Sequence, residues 1–296
     1  MIKGEVPVKQ RIITGVSAAL FAIGCLVLTG FGFYAWLSIP MALLSGIAAY
    51  EVLKVSKCKN KVLTAVAIVF AALVPFYIAF DVADHIPVPT SVLLIIYVLA
   101  VLIIMLKFYD VTRFEHAALA LFASIAVPAG LSLLIQLVRF CGERPALFQR
   151  SHAVFFLLCA MFAAWLSDTY AYFFGSKFGK HKMTPKISPK KSWEGAIAGV
   201  VLTSVSGLIA YAVCAHFYFH LPTVRWWMVA LGMPVLCVMG IFGDLSASVI
   251  KRNFGEKDFG NLFPGHGGVL DRIDSFLFTL PTTYVLVVGV TALCGG

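Results

Sequence analysis

The 296 residues are 60% hydrophobic and 12% charged, with 23 Lys and Arg against 14 Asp and Glu. A soluble domain carries about twice that charged fraction, so a water-soluble fold is excluded and the spanning helix of about 20 apolar residues becomes the unit to count. The net charge of +9 falls almost wholly in the connections between apolar runs; that suits anionic lipid headgroups or phosphorylated substrates, and the small soluble surface gives no reason to expect a nucleic-acid partner.

Apolar runs bounded by charge, Gly or Pro predict nine spans, at 11–29, 32–52, 62–81, 90–107, 114–138, 150–174, 195–219, 226–250 and 275–294. Lys3, Lys9 and Arg11 ahead of the first run resemble the head of a signal peptide. A second run follows almost at once with no evident cleavage site, so the first reads as a retained helix. The few residues around Gly30 to Gly32 leave a re-entrant or tilted arrangement of the first two spans open. Nine spans place 19 of the 23 basic residues on one side, leaving Arg139, Arg144, Arg150 and Arg225 on the other. Cytoplasmic loops are the Lys- and Arg-rich ones. The expectation is therefore an all-α integral membrane protein, a polytopic bundle of about nine transmembrane helices in the lipid bilayer. Its N-terminus and polar site are expected on the cytoplasmic side and its C-terminus outside.

Residues 1–148, about five spans, are chemically quiet. Glu51, Asp81, Asp84, Asp110 and Glu115 fall at span ends and read as solvated interfacial residues. Pro40 and Pro75 read as kinks, which a bundle tolerates. Seven cysteines without a CxxC, mostly inside apolar runs, read as small packing residues.

Residues 149–296, about four spans, carry two polar loops, 175–194 and 251–274. Asp168 sits well inside an apolar run, where an ionisable group is costly and faces a cavity or a partner. At helical spacing Asp168, Tyr172 and Gly175 share a face that points into the first loop. There Lys182, Lys186, Lys190 and Lys191 surround two prolines, and the loop closes on Trp193 and Glu194. PKKSWEG thus sets two cations and a carboxylate at the mouth of a helix. Trp193 reads as an interfacial anchor ahead of a base-stacking role.

The second loop region is the centre of the chain's chemistry. Half of the 14 acidic residues lie between 168 and 274, and Asp244, Glu256, Asp258, Asp271 and Asp274 stand among Lys251, Arg252, Lys257 and Arg272. Carboxylates bind hard cations, Lys and Arg neutralise phosphate oxygens, and a Gly-rich turn lets backbone amides approach an anion. Asp244, Ser248 and Lys251 share one helical face, flanked by Ser246 and Arg252. Asp271 and Asp274, three apart, can face one ligand, and a divalent cation could join them to Asp244.

From Ser248 the residues read Ser-x-x-Lys251-Arg252, then Lys257-Asp258-x-Gly260, then Phe263-Pro264-x-His266-Gly267-Gly268-x-x-Asp271-Arg272-x-Asp274. This pattern resembles the signature of the phosphatidate cytidylyltransferases, the CDP-diacylglycerol synthases of membranes. SPKKSWEG, residues 188–195, resembles a second motif of that family, with Ser192 where Thr is common. The likeness covers residues 168–274, about a third of the chain, and the first half matches only in being apolar.

The resemblance implies transfer of the cytidylyl group of CTP to phosphatidate, with Mg²⁺ and room for a second cation, in a multi-pass protein of the bacterial inner membrane. It implies Asp244 and Asp271 as principal metal ligands and Asp274 as a third ligand or orienter. Lys251, Arg252, Arg272, Lys190 and Lys191 become phosphate binders, and Gly267 and Gly268 bring backbone amides to the nucleotide phosphates. Ser248 joins this catalytic set, and Asp168 and Glu194 the substrate-binding one. His266 reads as a support of the HGG turn ahead of a general base. Lys257 and Asp258 read equally as a local salt bridge or as substrate contacts. A homodimer stays open. A transporter of an anionic solute is the alternative, since acids and cations at helix ends also mark transport sites. That reading lacks paired repeats, and its polar groups would gather on one side instead of the midplane.

Overall fold

The computed structural model describes residues 8–218, 224–263 and 267–293; Lys3, His266 and Cys294 lie outside them. The chain is an all-α polytopic membrane protein. Eight helical segments are long and apolar enough to cross a membrane, and Gly15–Phe31 is a shorter apolar helix, among the described residues. The helices are α1 (Val8–Phe31), α2 (Ser38–Val55), α3 (Lys61–Ala79), the single turn α4 (Val82–His85), α5 (Thr90–Lys107), α6 (Phe114–Leu121), α7 (Val127–Gly142), α8 (Arg150–Met161), α9 (Ser167–Phe178), α10 (Trp193–Val213), α11 (Trp226–Asn253), the short α12 (Leu270–Ile273) and α13 (Phe276–Leu293). A π-helical turn at Phe122–Ala126 joins α6 to α7, and another at Phe162–Leu166 joins α8 to α9. Large apolar side chains such as Leu106, Leu231 and Val285 stay exposed on spanning helices, where hydrocarbon takes the place of water.

The chain forms two compact units. The first contains residues 1–28, 33–136 and 254–272, the second residues 29–32, 137–253 and 273–296. In the first unit Leu53, Leu63, Ala67, Tyr97, Val101, Ala117 and Ala120 form a buried core. Tyr97 stacks on Phe70 and meets the Ser124 hydroxyl at 2.6 Å. The ends of its helices are fastened by side chains. Asn60 caps α3 by accepting from Val62 and Leu63 N–H, and its amide donates to Thr112 Oγ1 at 2.8 Å. His116 Nδ1 accepts from Arg113 N–H while Nε2 donates to the Ser56 carbonyl. The two basic connections before α3 and α6 are thereby sewn together.

The structure corrects two sequence expectations. Pro40 is the third residue of α2, inside the first turn, where its missing N–H has no partner to lose. It starts the helix instead of kinking it; Pro75 lies within α3. Glu51 is not a solvated interfacial residue: it is 2% exposed and bonded to backbone far along the chain, as described below. The loop after α9 carries a hairpin. Strands β1 (Lys182–Thr184) and β2 (Ser188–Ser192) pair antiparallel, Lys182 opposite Ser192 and Thr184 opposite Ser188. Pro185 occupies the position after Thr184 in the turn, which Ile187 N–H closes onto Thr184 O at 3.2 Å.

The second unit packs α8, α10 and α11 around Phe155, Cys159, Ala163, Cys214, Val229, Met233 and Cys237. The six described cysteines are all free, and five of them are buried.

Candidate active site

The site in the second unit begins with how closely α9 and α10 approach. Gly195, Gly199, Thr203 and Gly207 are all buried at four-residue intervals along α10, one stripe of a helix face on which small residues admit a neighbour's backbone. At Gly195 an added Cβ would stand 2.6 Å from Ala171 O and 2.9 Å from Gly175 Cα. Gly195→Ala is therefore expected to force the helices apart and cost about 1–3 kcal/mol, read as a lower unfolding temperature in detergent; an unchanged melt would show that the pair can relax.

Ser192 ends β2 and caps α10, its hydroxyl accepting from Gly195 N–H at 3.2 Å. The turn from strand to helix leaves Lys191 beside α9 and α11. Lys191 Nζ lies 2.5 Å from Asp244 Oδ2 of α11 and 3.8 Å from Asp168 Oδ1 of α9. Asp274, which follows α12, is 8% exposed and interacts electrostatically with Asp244, Lys251 and Asp168. Its Oδ1 accepts from Ser275 N–H at 2.7 Å. Burial alone would lower the Lys191 pKa; Asp168, Asp244 and Asp274 more than offset it and hold the ammonium above the usual lysine value. Ser248 and Lys251 are buried on the same α11 face as Asp244, as their spacing predicts, while Ser246 and Arg252 are exposed. Arg252 Nε donates to Ile187 O of the hairpin at 3.3 Å.

Other predicted residues are placed differently. Tyr172 is 66% exposed. Glu194 is engaged with His181, accepting from its N–H and meeting Nδ1 at 2.6 Å, so it ties the hairpin to the start of α10. Lys190 is exposed at the hairpin, and Trp193 is 52% exposed.

In the first unit the loop from Phe254 to Arg272 is held by two carboxylates. Asp271 Oδ2 accepts from Phe259 N–H at 2.8 Å and Gly268 N–H at 2.9 Å. Glu51 accepts from Val269 N–H on Oε1 and Leu270 N–H on Oε2, both at 2.9 Å. Phe263 N–H closes onto Gly267 O at 2.9 Å, and Gly267 has φ +87, a conformation that favours glycine. The Gly268 amide, predicted to face phosphate, is committed to Asp271. Lys257, Asp258 and Arg272 are exposed, and the expectations for His266 fall outside the described residues. Glu51 is the residue that sequence reasoning missed.

Asp244 and Asp274 belong to the second unit and Asp271 to the first. Among the described residues no group of three or more His, Cys, Asp or Glu is gathered as a ready metal cage. The donors nevertheless fit a hard cation. Carboxylate oxygens already surround one positive charge, Lys191 Nζ, and Mg²⁺ takes few protein carboxylates and completes its shell with water and substrate phosphate.

Comparison with known proteins agrees with this chemistry. Residues 9–290 match the cytidylyltransferase family. The chain is 30% identical over 289 residues to a phosphatidate cytidylyltransferase of Bacillus subtilis, covering 95% of this chain and 98% of that protein. It is 40% identical over 139 residues to a protein of the same name from Staphylococcus haemolyticus, and 42% over 139 residues to one from Staphylococcus aureus. Those two matches span about half the length of the staphylococcal relatives, 51% in each case.

Proposed function

We propose, because this chain belongs to the cytidylyltransferase family, that it transfers the cytidylyl group of CTP to phosphatidate, giving CDP-diacylglycerol and pyrophosphate. The observation that carries the proposal is Lys191 held between Asp244 and Asp168, with Asp274 adding its charge to the same group. Such alternating charge suits a reaction between two polyanions. A phosphate oxygen of phosphatidate attacks the α-phosphorus of CTP. The new O–P bond forms as the bond from that phosphorus to the oxygen bridging to the β-phosphate breaks, and pyrophosphate leaves with the bridging oxygen. The attacking monoester has a second pKa of about 6, so it is largely ionised at neutrality and needs no strong general base. The demand is to cancel repulsion and to stabilise charge on the transferring and leaving groups.

Lys191 and Lys251 supply fixed positive charge at the helix ends, and Arg252 and Lys190 supply it at the exposed rim. Asp244 and Asp274 would hold Mg²⁺, which when bound offers Lewis-acid polarisation of phosphate oxygens. Lys191 then has a phosphate to turn to as its carboxylate partners are shared. Trp193 and the apolar outer faces of α9 and α10 meet lipid, so that phosphatidate reaches the site laterally. The excess of Lys and Arg in these loops supports a cytoplasmic site in a bacterial inner membrane. The transporter reading is not favoured, because the family and the relatives are transferases by name.

Purified protein in detergent micelles is expected to release pyrophosphate only with CTP, phosphatidate and Mg²⁺ all present, and to leave CDP-diacylglycerol in the lipid phase. A folded preparation that releases none across varied lipids and ions would sink the proposal, and solute uptake by proteoliposomes without CTP would then be the next assay.

A further inference from the structure

The geometry points to Glu51 as a positioning residue for Asp271 and Arg272, acting through the backbone of the loop that leads into α12; the inference rests on the reaction proposed above. Glu51 lies in α2 and is 2% exposed as a residue. Burying a carboxylate in a spanning helix is costly unless its oxygens are satisfied. Here both are, by two consecutive amides more than 200 residues away, Val269 N–H on Oε1 and Leu270 N–H on Oε2. These are the amides just before Asp271. The third amide of the run, Gly268 N–H, goes to Asp271 itself. Three successive amides are thus oriented by two carboxylates that repel each other.

The loop is shaped to admit the carboxylate. A Cβ at Gly268 would stand 2.5 Å from Glu51 Oε1, and one at Gly260 would also stand 2.5 Å from it. Two glycines flank the space that the Glu51 carboxylate occupies. A bidentate grip on adjacent N–H groups fixes the direction of the chain as it enters α12, and with it the side chains of Asp271 and Arg272. Local sequence cannot do this, because α12 has only four residues and too few internal hydrogen bonds to set its own orientation.

Glu51→Gln keeps the shape but offers one acceptor to two donors and turns an NH₂ group against the other N–H. It is expected to raise the KM for CTP or lower kcat/KM for CTP by roughly 10–100-fold, the worth of a hydrogen bond to a charged group. The KM for phosphatidate should stay within about twofold, since that substrate arrives through lipid. Hydrogen exchange is the second readout. The amides of Val269 and Leu270 should exchange faster in the variant, with α3 and α5 unchanged. Gly268→Ala, which unseats the same carboxylate from the loop side, should reproduce both effects and decides the matter if Glu51→Gln fails to fold. A uniform loss of thermal stability with CTP and phosphatidate kinetics affected alike, or unchanged exchange at Val269 and Leu270, would overturn the assignment. If the wild type itself fails to turn over, the reaction falls and exchange alone judges whether Glu51 holds the loop; if the wild type is active and the CTP kinetics of the variants are normal, Glu51 falls and the reaction stands.

Discussion

Lys191→Met is expected to reduce turnover by about 10²–10³-fold, the scale on which removing one preorganised charge-stabilising group acts. The reason lies in what surrounds the ammonium. Asp244 Oδ2 is 2.5 Å away and Asp168 Oδ1 3.8 Å, and Asp274 adds a third negative charge. Without Lys191 these carboxylates lose the ammonium that lies against Asp244 and Asp168, and Lys251 alone is left to offset Asp274. Removing one partner of a buried pair costs about 3–5 kcal/mol. The Lys191 side chain keeps 23% of its exposure, so the lower end applies. Added Mg²⁺ should recover part of the lost stability in the variant and little of the activity, because the phosphate-binding charge stays absent. Lys191→Arg should keep far more of both. The pH dependence follows from the sign of the shift. The folded pKa lies above the ordinary lysine value of about 10.4, so the stabilisation from this group is complete below that value and is lost as pH rises through the folded pKa. An alkaline melt should show this loss in the wild type and not in Lys191→Met. Turnover by Lys191→Met within about tenfold of wild type would remove Lys191 from the site.

How much of this is legible without the structure depends on whether a residue's role is set by its own helix. Asp244, Ser248 and Lys251 follow from period 3.6 alone, because one face of α11 carries all three and the structure gathers them there. The stripe Gly195, Gly199, Thr203 and Gly207 is equally readable as small residues at a spacing of four, although no charge marks it out within its apolar run. The hairpin at 182–192 has its turn signal in Thr184-Pro185, hidden by a charge density that reads as a solvated loop. Glu51 is a different case. An acid at the end of an apolar run has the same local pattern whether it meets water or buried amides, and its partners lie 218 and 219 residues away. Only the glycines at 260 and 268 hint that something must fit between them. The π-helical turn at Phe162–Leu166, just ahead of Asp168, follows from no residue pattern, since FAAWL contains no helix breaker.

Asp271→Asn and Asp271→Ala should separate the two things that Asp271 does. Its Oδ2 accepts from Phe259 and Gly268 N–H, which anchors the loop, and its charge is expected to be needed for turnover. Asparagine can place its amide oxygen where Oδ2 stands and keep both acceptor bonds, although they weaken without the charge. The Asp271→Asn variant would then preserve the loop and lose the charge, so turnover is expected to fall about 10²–10³-fold with the melting temperature nearly unchanged. Alanine removes the acceptor as well. It leaves two N–H donors of a partly buried loop unsatisfied, at about 1–3 kcal/mol each, and should add faster hydrogen exchange at Phe259 and Gly268 to the same catalytic loss. Gly267, whose added Cβ would stand 2.8 Å from Asp271 Oδ2, adjoins the same contact, so Gly267→Ala should share the exchange signature and retain the charge. Graded activity across the three is the test. If Asp271→Asn is active while Asp271→Ala and Gly267→Ala are not, Asp271 is an anchor and not a charge.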